Sequence, residues 1–295
     1  MSILVDSNTK VLVQGMTGRA GRFYTHQAMR YGTTYVAGVN PVKPGSEHLG
    51  LPVFGTVAEA AKDTGANASL VIVPAANAAA AMIEAIEAEI SVITCVTERV
   101  PQHDMARVKA ALKGSKSVLI GPNSQGILTP EKCKIGVMPT RYAMPGRIGI
   151  ASRAASLTSE VVAQCSAAGL GQSTTVGIGG DNLHGIGFVE CLKLFRDDPD
   201  TDAVILIGEI GGREEEDAAA YLKSADYGKP VIALIVGRHA PQGRRMGHAG
   251  TLSVFGSGSA QAKIDQLAAA GVILAENVDD VVPRVRAAAP QPAIA

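Results

Sequence analysis

The stretch from Gly243 to Gly250 carries the residues best suited to chemistry in this sequence. One histidine, His248, lies among three glycines and shortly after Arg244 and Arg245. Glycine removes side-chain bulk, so a second molecule can approach such a loop closely. Imidazole exchanges protons, or carries a phosphoryl group, near neutral pH. By itself the stretch equally fits an ordinary surface turn, and the surrounding elements decide between the two interpretations.

A carboxylate is predicted to lie near this histidine. Glu209 ends an apolar run that begins at Ala203, and another apolar run, Pro230–Val236, precedes the His248 loop. As neighbouring parallel strands, these runs would bring Glu209 and His248 to the same edge of a sheet. A carboxylate there can orient an imidazole through its ring N–H, although a solvated loop carboxylate also fits the pattern.

A third candidate is an anion-binding turn. The predicted strand Arg147–Ala151 is followed by a predicted helix with a cap region near Ser156 and Glu160. The first N–H groups of a helix have no partner within the helix and can bind an anion. We therefore expect Ala154, Ala155 and Ser156 to bind phosphate.

The N-terminal sequence predicts a phosphate-binding βαβ unit. Strand Lys10–Gln14 is followed by the turn Gly15–Gly21, a helix over Arg19–Tyr31 and a second strand over Tyr35–Val39. A glycine-rich turn at a helix N-terminus receives phosphate through backbone N–H groups. The alternative is a plain tight turn, which needs only one of the three glycines.

Coenzyme A suits this unit better than a dinucleotide. The glycine spacing is G-x-x-G-x-x-G instead of G-x-G-x-x-G, and Asn40 stands where an acid would hold a ribose hydroxyl. Lys43, on a Pro/Gly-rich loop, offers a cation to a further phosphate, although a lone lysine is more often a solvated surface charge. Thr97 and Glu98 follow the predicted strand Val92–Val96, at the end where open α/β sheets place ligands.

Short Val/Ile runs that alternate with Ala-rich stretches predict an α/β protein. Residues 1–123 are expected to form a Rossmann-like domain, 124–146 a connecting segment, 147–288 a second alternating domain and 289–295 a loose tail. Further strands are predicted at Ser69–Val73, Val118–Ile120, Thr174–Ile178 and Val272–Leu274, and further helices at Val57–Asp63, Ala75–Ala88, His103–Lys113, Gly187–Arg196, Gln261–Ala270 and Asp279–Ala288.

The composition excludes several function classes. With 27 basic and 27 acidic residues the net charge is zero, so the basic footprint of a nucleic-acid-binding protein is missing. The sequence contains no run of about 18 uncharged apolar residues, so no membrane span is predicted. The isolated cysteines predict reduced thiols, a cytoplasmic compartment and no metal site. They are Cys95, Cys133, Cys165 and Cys191. The sequence lacks G-x-x-x-x-G-K-[ST], so a nucleotide would be held by another motif or another chain.

Four motifs are distinctive, and the similarity around them extends over nearly the whole chain. They are Gln14–Gly18, Lys132–Gly136, Ile207–Gly212 and Gly243–Gly250. In these motifs the chain resembles the α subunit of succinyl-CoA synthetase and its ADP-forming acid–CoA ligase relatives. The resemblance implies a CoA-binding Rossmann domain followed by a flavodoxin-like ligase domain, and a place in the tricarboxylic acid cycle.

The resemblance also implies a heteromer. A separate β subunit with an ATP-grasp fold would bind ATP or GTP with Mg2+, in a heterodimer or a heterotetramer. The third substrate, beside CoA and the nucleotide, would be a small dicarboxylate-type acid. The missing nucleotide motif agrees with that division between two chains.

The resemblance further implies roles for particular residues. His248 matches the family's phosphohistidine, and Glu209 matches the carboxylate that steadies it. The positions that match CoA contacts are Thr17, Gly18, Arg19, Ala20, Lys43, Val96, Thr97 and Glu98. The implied reaction phosphorylates His248 from the nucleotide, passes the phosphoryl group to the acid, and ends when CoA thiolate attacks the acyl phosphate.

The sequence departs from this family around the acid. Ser124 and Gln125 stand where succinyl enzymes commonly read Cys-Pro, and Ser159 stands where they usually carry Tyr. We expect these three positions to shape the acid pocket, so malate or another acid, hydroxylated, larger or sulfonated, remains an alternative to succinate. A non-catalytic CoA-binding paralogue is opposed by the intact His248 and Glu209. An NAD-dependent oxidoreductase is opposed by the glycine spacing.

Overall fold

The computed structural model describes residues 2–241, 243–248, 250–251 and 258–289. The chain folds into two compact units. The N-terminal unit consists of residues 4–140 and 183–186. The C-terminal unit consists of residues 141–182 and those from 187 onward, together with residues 2–3. Most of the predicted tail, residues 290–295, lies outside the described residues.

The N-terminal unit is built on one open sheet. Its elements are β1 (Lys10–Gln14), α1 (Arg19–Tyr31), β2 (Thr34–Val39), β3 (Glu47–His48), β4 (Leu51–Phe54), α2 (Val57–Thr64), β5 (Ala68–Val71), α3 (Ala75–Glu87), β6 (Val92–Cys95), α4 (Gln102–Leu112), β7 (Val118–Ile120), β8 (Gly126–Thr129) and β9 (Cys133–Gly136). The sheet order is β3-β4-β2-β1-β5-β6-β7, with all pairs parallel except β3 with β4. Without β3 this is the Rossmann order, which reverses between β1 and β5.

The C-terminal unit contains a second, parallel sheet. Its elements are β10 (Pro145–Ser152), α5 (Ala155–Ala167), β11 (Gln172–Gly177), α6 (Phe188–Asp197), β12 (Ala203–Glu209), α7 (Glu214–Ser224), β13 (Val231–Val236), α8 (Ala260–Ala268), β14 (Ile273–Ala275) and α9 (Val278–Ala288). These strands run in the order β14-β13-β12-β10-β11. Counted along the chain this is 2-1-3-4-5, the flavodoxin-like order, and it reverses between β10 and β12. The predicted fold class is confirmed.

The strands are buried because helices cover both faces of each sheet. Strands β5, β6 and β12 are buried along their whole length, as expected for parallel strands made of continuous apolar runs. Helix α3 packs on β5 and β6 through small side chains, including Ala78 and Ala85, together with Met82. The longest helices, α1, α3 and α5, have 13 residues each. None of the helices in the described ranges is long and apolar enough to cross a membrane.

The segment 124–146 is not the plain connection that we predicted. It contains β8 and β9, which pair as an antiparallel hairpin, and it includes the start of β10. The prediction was wrong because glycine was taken as a sign of a loop. In the hairpin, Gly126 and Gly136 lie opposite each other, and a Cβ on Gly126 would lie 2.0 Å from the Ile135 carbonyl oxygen. Here glycine permits two strands to approach closely.

Three further elements were not predicted. Strands β3 and β4 have two and four residues, which is too short for a clear alternation. Helix α7 carries four acidic residues in its first turn, and its apolar face is reduced to Ala218, Ala219 and Leu222. Acidic residues there favour the helix through its macrodipole, which apolar periodicity does not report.

Replacing Gly21 by alanine should destabilise the N-terminal unit. A Cβ on Gly21 would lie 2.1 Å from the Gly15 carbonyl oxygen, so backbone has to move. We expect the free energy of unfolding in urea to fall by about 1–3 kcal/mol. Gly55→Ala is the matched control, because its Cβ would meet only the Glu59 side chain at 3.3 Å and Pro44 at 3.7 Å, and it should stay within about 0.5 kcal/mol of wild type. Equal losses in both variants would contradict the prediction.

Candidate active site

The candidate site of the C-terminal unit lies beyond the carboxyl ends of β10 and β12, where the strand order reverses. Parallel pairing sets Ser152 opposite Ile207, and Glu209 opposite Val236. Arg153, Glu209 and the loop that follows β13 therefore leave the sheet at one edge. This is the edge at which open α/β sheets place their ligands.

Glu209 and His248 are in direct contact at this edge. His248 Nδ1 lies 2.9 Å from Glu209 Oε2 and 3.0 Å from Oε1. Because a carboxylate only accepts hydrogen bonds, Nδ1–H donates, and in the neutral imidazole Nε2 keeps its lone pair. The Glu209 side chain is 6% exposed and the His248 side chain 31% exposed. The carboxylate is thus shielded from water while part of the imidazole remains accessible.

Arg153 completes this cluster, and the sequence reasoning missed it. Its Nε donates to Glu209 Oε1 at 3.2 Å, and its side chain is 1% exposed. Its backbone N–H donates to the Ile207 carbonyl at 3.0 Å, which continues the pairing of β10 with β12. A lone arginine between an apolar strand and a helix start was the available signal. Arg153 is thus a buried cation that holds the carboxylate of Glu209.

Backbone packing fixes the histidine. A Cβ on Gly180 would lie 2.5 Å from the His248 ring, so only glycine lets the ring lie against this backbone. Thr251 Oγ1 donates to the carbonyl oxygens of His248 at 2.7 Å and Met246 at 2.6 Å. The neighbouring Ala249, within the predicted Gly243–Gly250 loop, lies outside the described residues.

The charges around His248 shift its protonation. The hydrogen bond to Glu209 raises the pKa of His248 above its ordinary value, and the charge of that carboxylate and of Asp181 add to the effect. Burial and the charge of Arg153 oppose the rise. The imidazole therefore remains protonated to a higher pH than a free histidine, and its neutral, nucleophilic form gains population as the pH rises through this pKa.

The predicted anion-binding turn lies at the N-terminus of α5. The helix begins at Ala155 after Ala154, and no side chain caps it, so the predicted cap near Ser156 is wrong. The Ala154 N–H already donates to Ser152 Oγ at 3.1 Å, which leaves it unavailable to a ligand. Ala155 and Ser156 are exposed and contribute the N–H groups of the first turn.

In the N-terminal unit, the glycine-rich turn follows β1 at the point where the sheet order reverses. Gly15 has φ +100° and lies so close to β5 that a Cβ would be 2.3 Å from the Ile72 carbonyl oxygen. Helix α1 begins after Gly18 without a side-chain cap. Asn40 Nδ2 donates to Thr17 Oγ1 at 2.8 Å, so the residue that replaces the expected acid supports the turn.

A surface pocket of about 530 Å³ lies over the start of α1. Its walls are Thr17, Gly18, Arg19, Arg22, Phe23, His26, His48 and Leu49. Three predicted CoA contacts are therefore brought together, and the pocket adds a second arginine and two histidines that the sequence reasoning did not single out. Arginine and histidine on one wall suit an anionic ligand.

The other predicted CoA contacts do not line this pocket. Ala20 and Lys43 are exposed, as is Glu98, and Val96 is half-buried. Thr97 Oγ1 donates to the Val73 carbonyl at 2.8 Å, beyond the carboxyl end of β5. These residues have the accessibility that a ligand contact requires, but the described structure does not gather them into one cavity.

The residues predicted to face the acid differ in how they are bonded. Ser124 Oγ accepts the Gly126 N–H at 2.8 Å, and Ser159 Oγ donates to the Ala155 carbonyl at 3.4 Å. Gln125 is only 5% exposed, and its amide nitrogen and oxygen are both buried without a hydrogen-bond partner. Such an amide is costly in a native protein unless a ligand or water satisfies it.

All four cysteines are buried, and Cys133, Cys165 and Cys191 are free thiols. Burial raises the pKa of Cys133 and of Cys165 to about 12, and raises that of Cys191 as well. Across the described ranges, no group of three or more His, Cys, Asp or Glu side chains could hold a metal ion.

Comparison with known proteins identifies the class. Residues 6–99 match the CoA binding domain family and residues 151–273 match the CoA-ligase family. A CoA-binding domain followed by a CoA-ligase domain defines an acid–thiol ligase.

The sequence relatives narrow this class. The chain is 49% identical to the succinate–CoA ligase [ADP-forming] subunit alpha of Aquifex aeolicus, over 94% of this chain and 91% of that protein. It is also 49% identical to the subunit alpha 2 of Archaeoglobus fulgidus, over 92% of this chain and 94% of that protein. The chain belongs to the family of succinate–CoA ligase alpha subunits.

A solved structure shares the fold at lower identity. The ATP citrate lyase of Methanothrix soehngenii, in complex with citrate and coenzyme A, superposes with a TM-score of 0.88 at 24% identity. The match covers 97% of this chain and 50% of that chain, so this protein corresponds to about half of the lyase.

Glu209→Gln should lower the pKa of His248. The variant removes the charge and the charge-assisted hydrogen bond that hold this pKa above its ordinary value. NMR titration of the imidazole measures the shift. Asp181→Asn is the control, because Asp181 acts only through space and as the smallest contribution, so its shift should have the same direction and be smaller. An unchanged His248 pKa in Glu209→Gln would refute the assignment.

Proposed function

We propose that His248 carries a phosphoryl group from a nucleoside triphosphate to the carboxylate of an organic acid, in the ADP- or GDP-forming synthesis of an acyl-CoA. The observation that carries this proposal is the contact of His248 Nδ1 with Glu209 at the reversal point of the sheet. Glu209 fixes the tautomer, so Nε2 is the nucleophilic nitrogen, and the partly exposed ring can meet a substrate.

The proposed transfer balances in charge and atoms. Nε2 of His248 forms a bond to the γ-phosphorus as the bond to the leaving nucleoside diphosphate breaks. The proton on Nδ1 stays hydrogen-bonded to Glu209, whose negative charge stabilises the positive charge gained by the ring. Transfer to a carboxylate oxygen then gives an acyl phosphate and restores neutral His248. The thiol of coenzyme A supplies the nucleophile that displaces phosphate from the acyl group.

We assign stabilisation of the phosphorylated imidazole to the start of α5. This helix has 13 residues and begins three residues after Ser152, at the edge of the sheet where Glu209 also ends its strand. Its macrodipole and the N–H groups of Ala155 and Ser156 favour an anion. Because these donors are backbone groups, they persist although the side chains differ from those of succinyl enzymes.

Coenzyme A is assigned to the N-terminal unit. The uncapped start of α1, the close glycine turn and the basic pocket wall fit a ligand that carries several phosphates. Arg19 and Arg22 would pair with its phosphates, and Thr17 is already oriented by Asn40. We keep Lys43 and Val96–Glu98 as further contacts, since they are accessible in the same unit.

The nucleotide is assigned to a partner chain. Relatives named as alpha subunits imply a β subunit, and we propose that it has an ATP-grasp fold and holds ATP or GTP with Mg2+. A heterodimer or a heterotetramer would then bring that nucleotide to His248. The cytoplasm is the proposed compartment, since Cys133, Cys165 and Cys191 are buried free thiols, which suit a reducing environment.

For the acid, the relatives and three residues of this chain point to two candidates. The named relatives act on succinate, but Ser124, Gln125 and Ser159 replace the residues typical of succinyl enzymes. The unpartnered Gln125 amide supports an acid with a polar group that both donates and accepts, as a hydroxyl does. Malate is the second candidate on this ground. A non-catalytic paralogue is disfavoured, because Glu209, Arg153 and His248 form a complete, connected cluster.

His248→Asn should abolish formation of phosphoenzyme. The reconstituted complex of this chain with its β partner is incubated with γ-labelled ATP, and label on this chain is measured after denaturation. His239→Asn is the matched control, because His239 is an exposed histidine after β13 and should retain full labelling. Persistent labelling of His248→Asn would exclude His248 as the carrier.

Gln125→Leu should reduce use of the preferred acid. A panel of C3 to C6 acids, with succinate and malate among them, is assayed with CoA and ATP. Loss of a ligand hydrogen bond should lower kcat/KM for the preferred acid by about 10- to 100-fold and leave the KM for CoA unchanged. Gln172→Leu is the control, because Gln172 is equally buried but its amide is bonded to Ser166, Leu170 and Met144. It should lose stability without a change in acid preference; equal kinetic losses would remove Gln125 from the acid site.

A further inference from the structure

A cluster of buried charges from α7 and α8 lies next to the backbone of Glu209. The Lys263 side chain is 0% exposed and that of Glu215 is 1% exposed. Lys263 Nζ contacts Glu215 Oε2 and lies 3.3 Å from Glu216 Oε2, whose side chain is 11% exposed. Full burial of a lysine is rare and requires such partners.

This cluster is bonded to the backbone on both sides of Glu209. Glu215 Oε1 accepts the Glu209 N–H at 2.9 Å. Lys263 Nζ donates to the Gly211 carbonyl at 2.7 Å. The ion pair thus connects the last residue of β12 to the turn that follows it.

Glycine makes this arrangement possible. A Cβ on Gly208 would lie 2.5 Å from Glu215 Oε1, so a side chain there would displace the carboxylate from the Glu209 N–H. Gly211, at φ +81°, donates its N–H to the Gly258 carbonyl at 2.7 Å. The turn after Glu209 is therefore held by Lys263 on its carbonyl and by Gly258 on its amide.

Stability alone does not account for the ion pair. Removing two charges from water costs free energy, and well-packed apolar side chains of similar volume often serve as well or better in a core. What an apolar pair does not provide is an acceptor for the Glu209 N–H and a donor for the Gly211 carbonyl. The cluster therefore orients the backbone around Glu209 through these two hydrogen bonds.

We infer that Lys263 and Glu215 are positioning residues that hold the backbone of Glu209 so that its carboxylate faces His248 Nδ1. The charged groups that act on the imidazole itself are Glu209, Arg153 and Asp181. Lys263 and Glu215 act on it through the Glu209 main chain. The inference deepens the proposed function of the same site, and its test includes a measurement that does not depend on phosphoryl transfer.

Two double variants, which leave the net charge unchanged, separate the orientation of the Glu209 backbone from the effect of the ion pair's charges. Glu215→Leu with Lys263→Met removes the ion pair and leaves the Glu209 N–H without an acceptor. Glu215→Gln with Lys263→Met removes the same charges but keeps a side-chain oxygen for that N–H. Lys229→Met is the control, because Lys229 also donates to two backbone carbonyls, at 2.6 Å each. Lys229 lies just before the first residue of β13, whereas Glu209 pairs with the last residue of that strand, so the two residues are at opposite ends of β13.

The first measurement is the pKa of His248 by NMR titration of each chain, unphosphorylated. In the leucine–methionine variant this pKa should fall towards that of a free imidazole, because the Glu209 carboxylate no longer faces Nδ1. The glutamine–methionine variant should lie between that variant and wild type. Lys229→Met should leave the value unchanged even if it lowers stability.

The second measurement is the rate of phosphoenzyme formation with the β partner. We expect a loss of about 10- to 100-fold in the leucine–methionine variant, the scale associated with a catalytic group misplaced by about 1 Å. A folded leucine–methionine variant with the wild-type pKa and rate would overturn the inference. If that variant does not fold, a wild-type pKa in the glutamine–methionine variant would overturn it equally. Absence of phosphoenzyme in wild type would refute the proposed function, while the titration would still decide the positioning role.

Discussion

A single carboxylate–imidazole contact organises the C-terminal unit. Glu209 is nearly shielded from solvent, and burying a carboxylate without partners costs free energy. Arg153 and His248 share its oxygens, so the charge is compensated on both sides. Each partner enters from a different strand end. The three side chains can meet only because β10 and β12 are neighbours although β11 lies between them in sequence.

The N-terminal unit also contains an open parallel sheet, but its main constraint is close packing of backbone at the turn after β1. Its turn after β1 brings backbone close to backbone, so the residues that matter most there are those that lack a Cβ. Gly15 lies directly against the Ile72 carbonyl group, and Gly21 lies directly against the Gly15 carbonyl group. Asn40 then fixes Thr17 from the neighbouring strand end. The edge of one sheet thus carries a close backbone turn, and the edge of the other gathers charged side chains.

Much of this could be predicted from the sequence. The βαβ opening was predicted closely because its strand is apolar and its helix is bounded by glycines: β1 and α1 agree with the structure residue for residue. The proximity of Glu209 to His248 followed from the rule that parallel strands end at one edge. The contact itself is now observed, while the catalytic roles remain predictions.

Other features were beyond a pattern-based interpretation. Arg153 was missed because burial of a single arginine depends on a carboxylate 56 positions away in sequence. The β8–β9 hairpin was missed because glycine occurs both in loops and in closely paired strands, and the sequence pattern does not distinguish the two. Arg22 and His26 follow Arg19 at the i+3 and i+7 spacing of one helix face, whereas His48 joins this pocket only in three dimensions. Pairing between distant positions leaves no periodic trace.

The buried cysteines have a consequence for a protein that works on an external thiol. At neutral pH a group with a pKa of about 12, such as Cys133 or Cys165, is a thiolate in only about one molecule in 10⁵. The thiolate, and not the thiol, attacks an activated acyl group. Cys133 and Cys165 should therefore be poor nucleophiles beside the thiol of coenzyme A, and we expect neither to be acylated. The same burial should keep them unreactive towards oxidants and alkylating agents while the chain is folded.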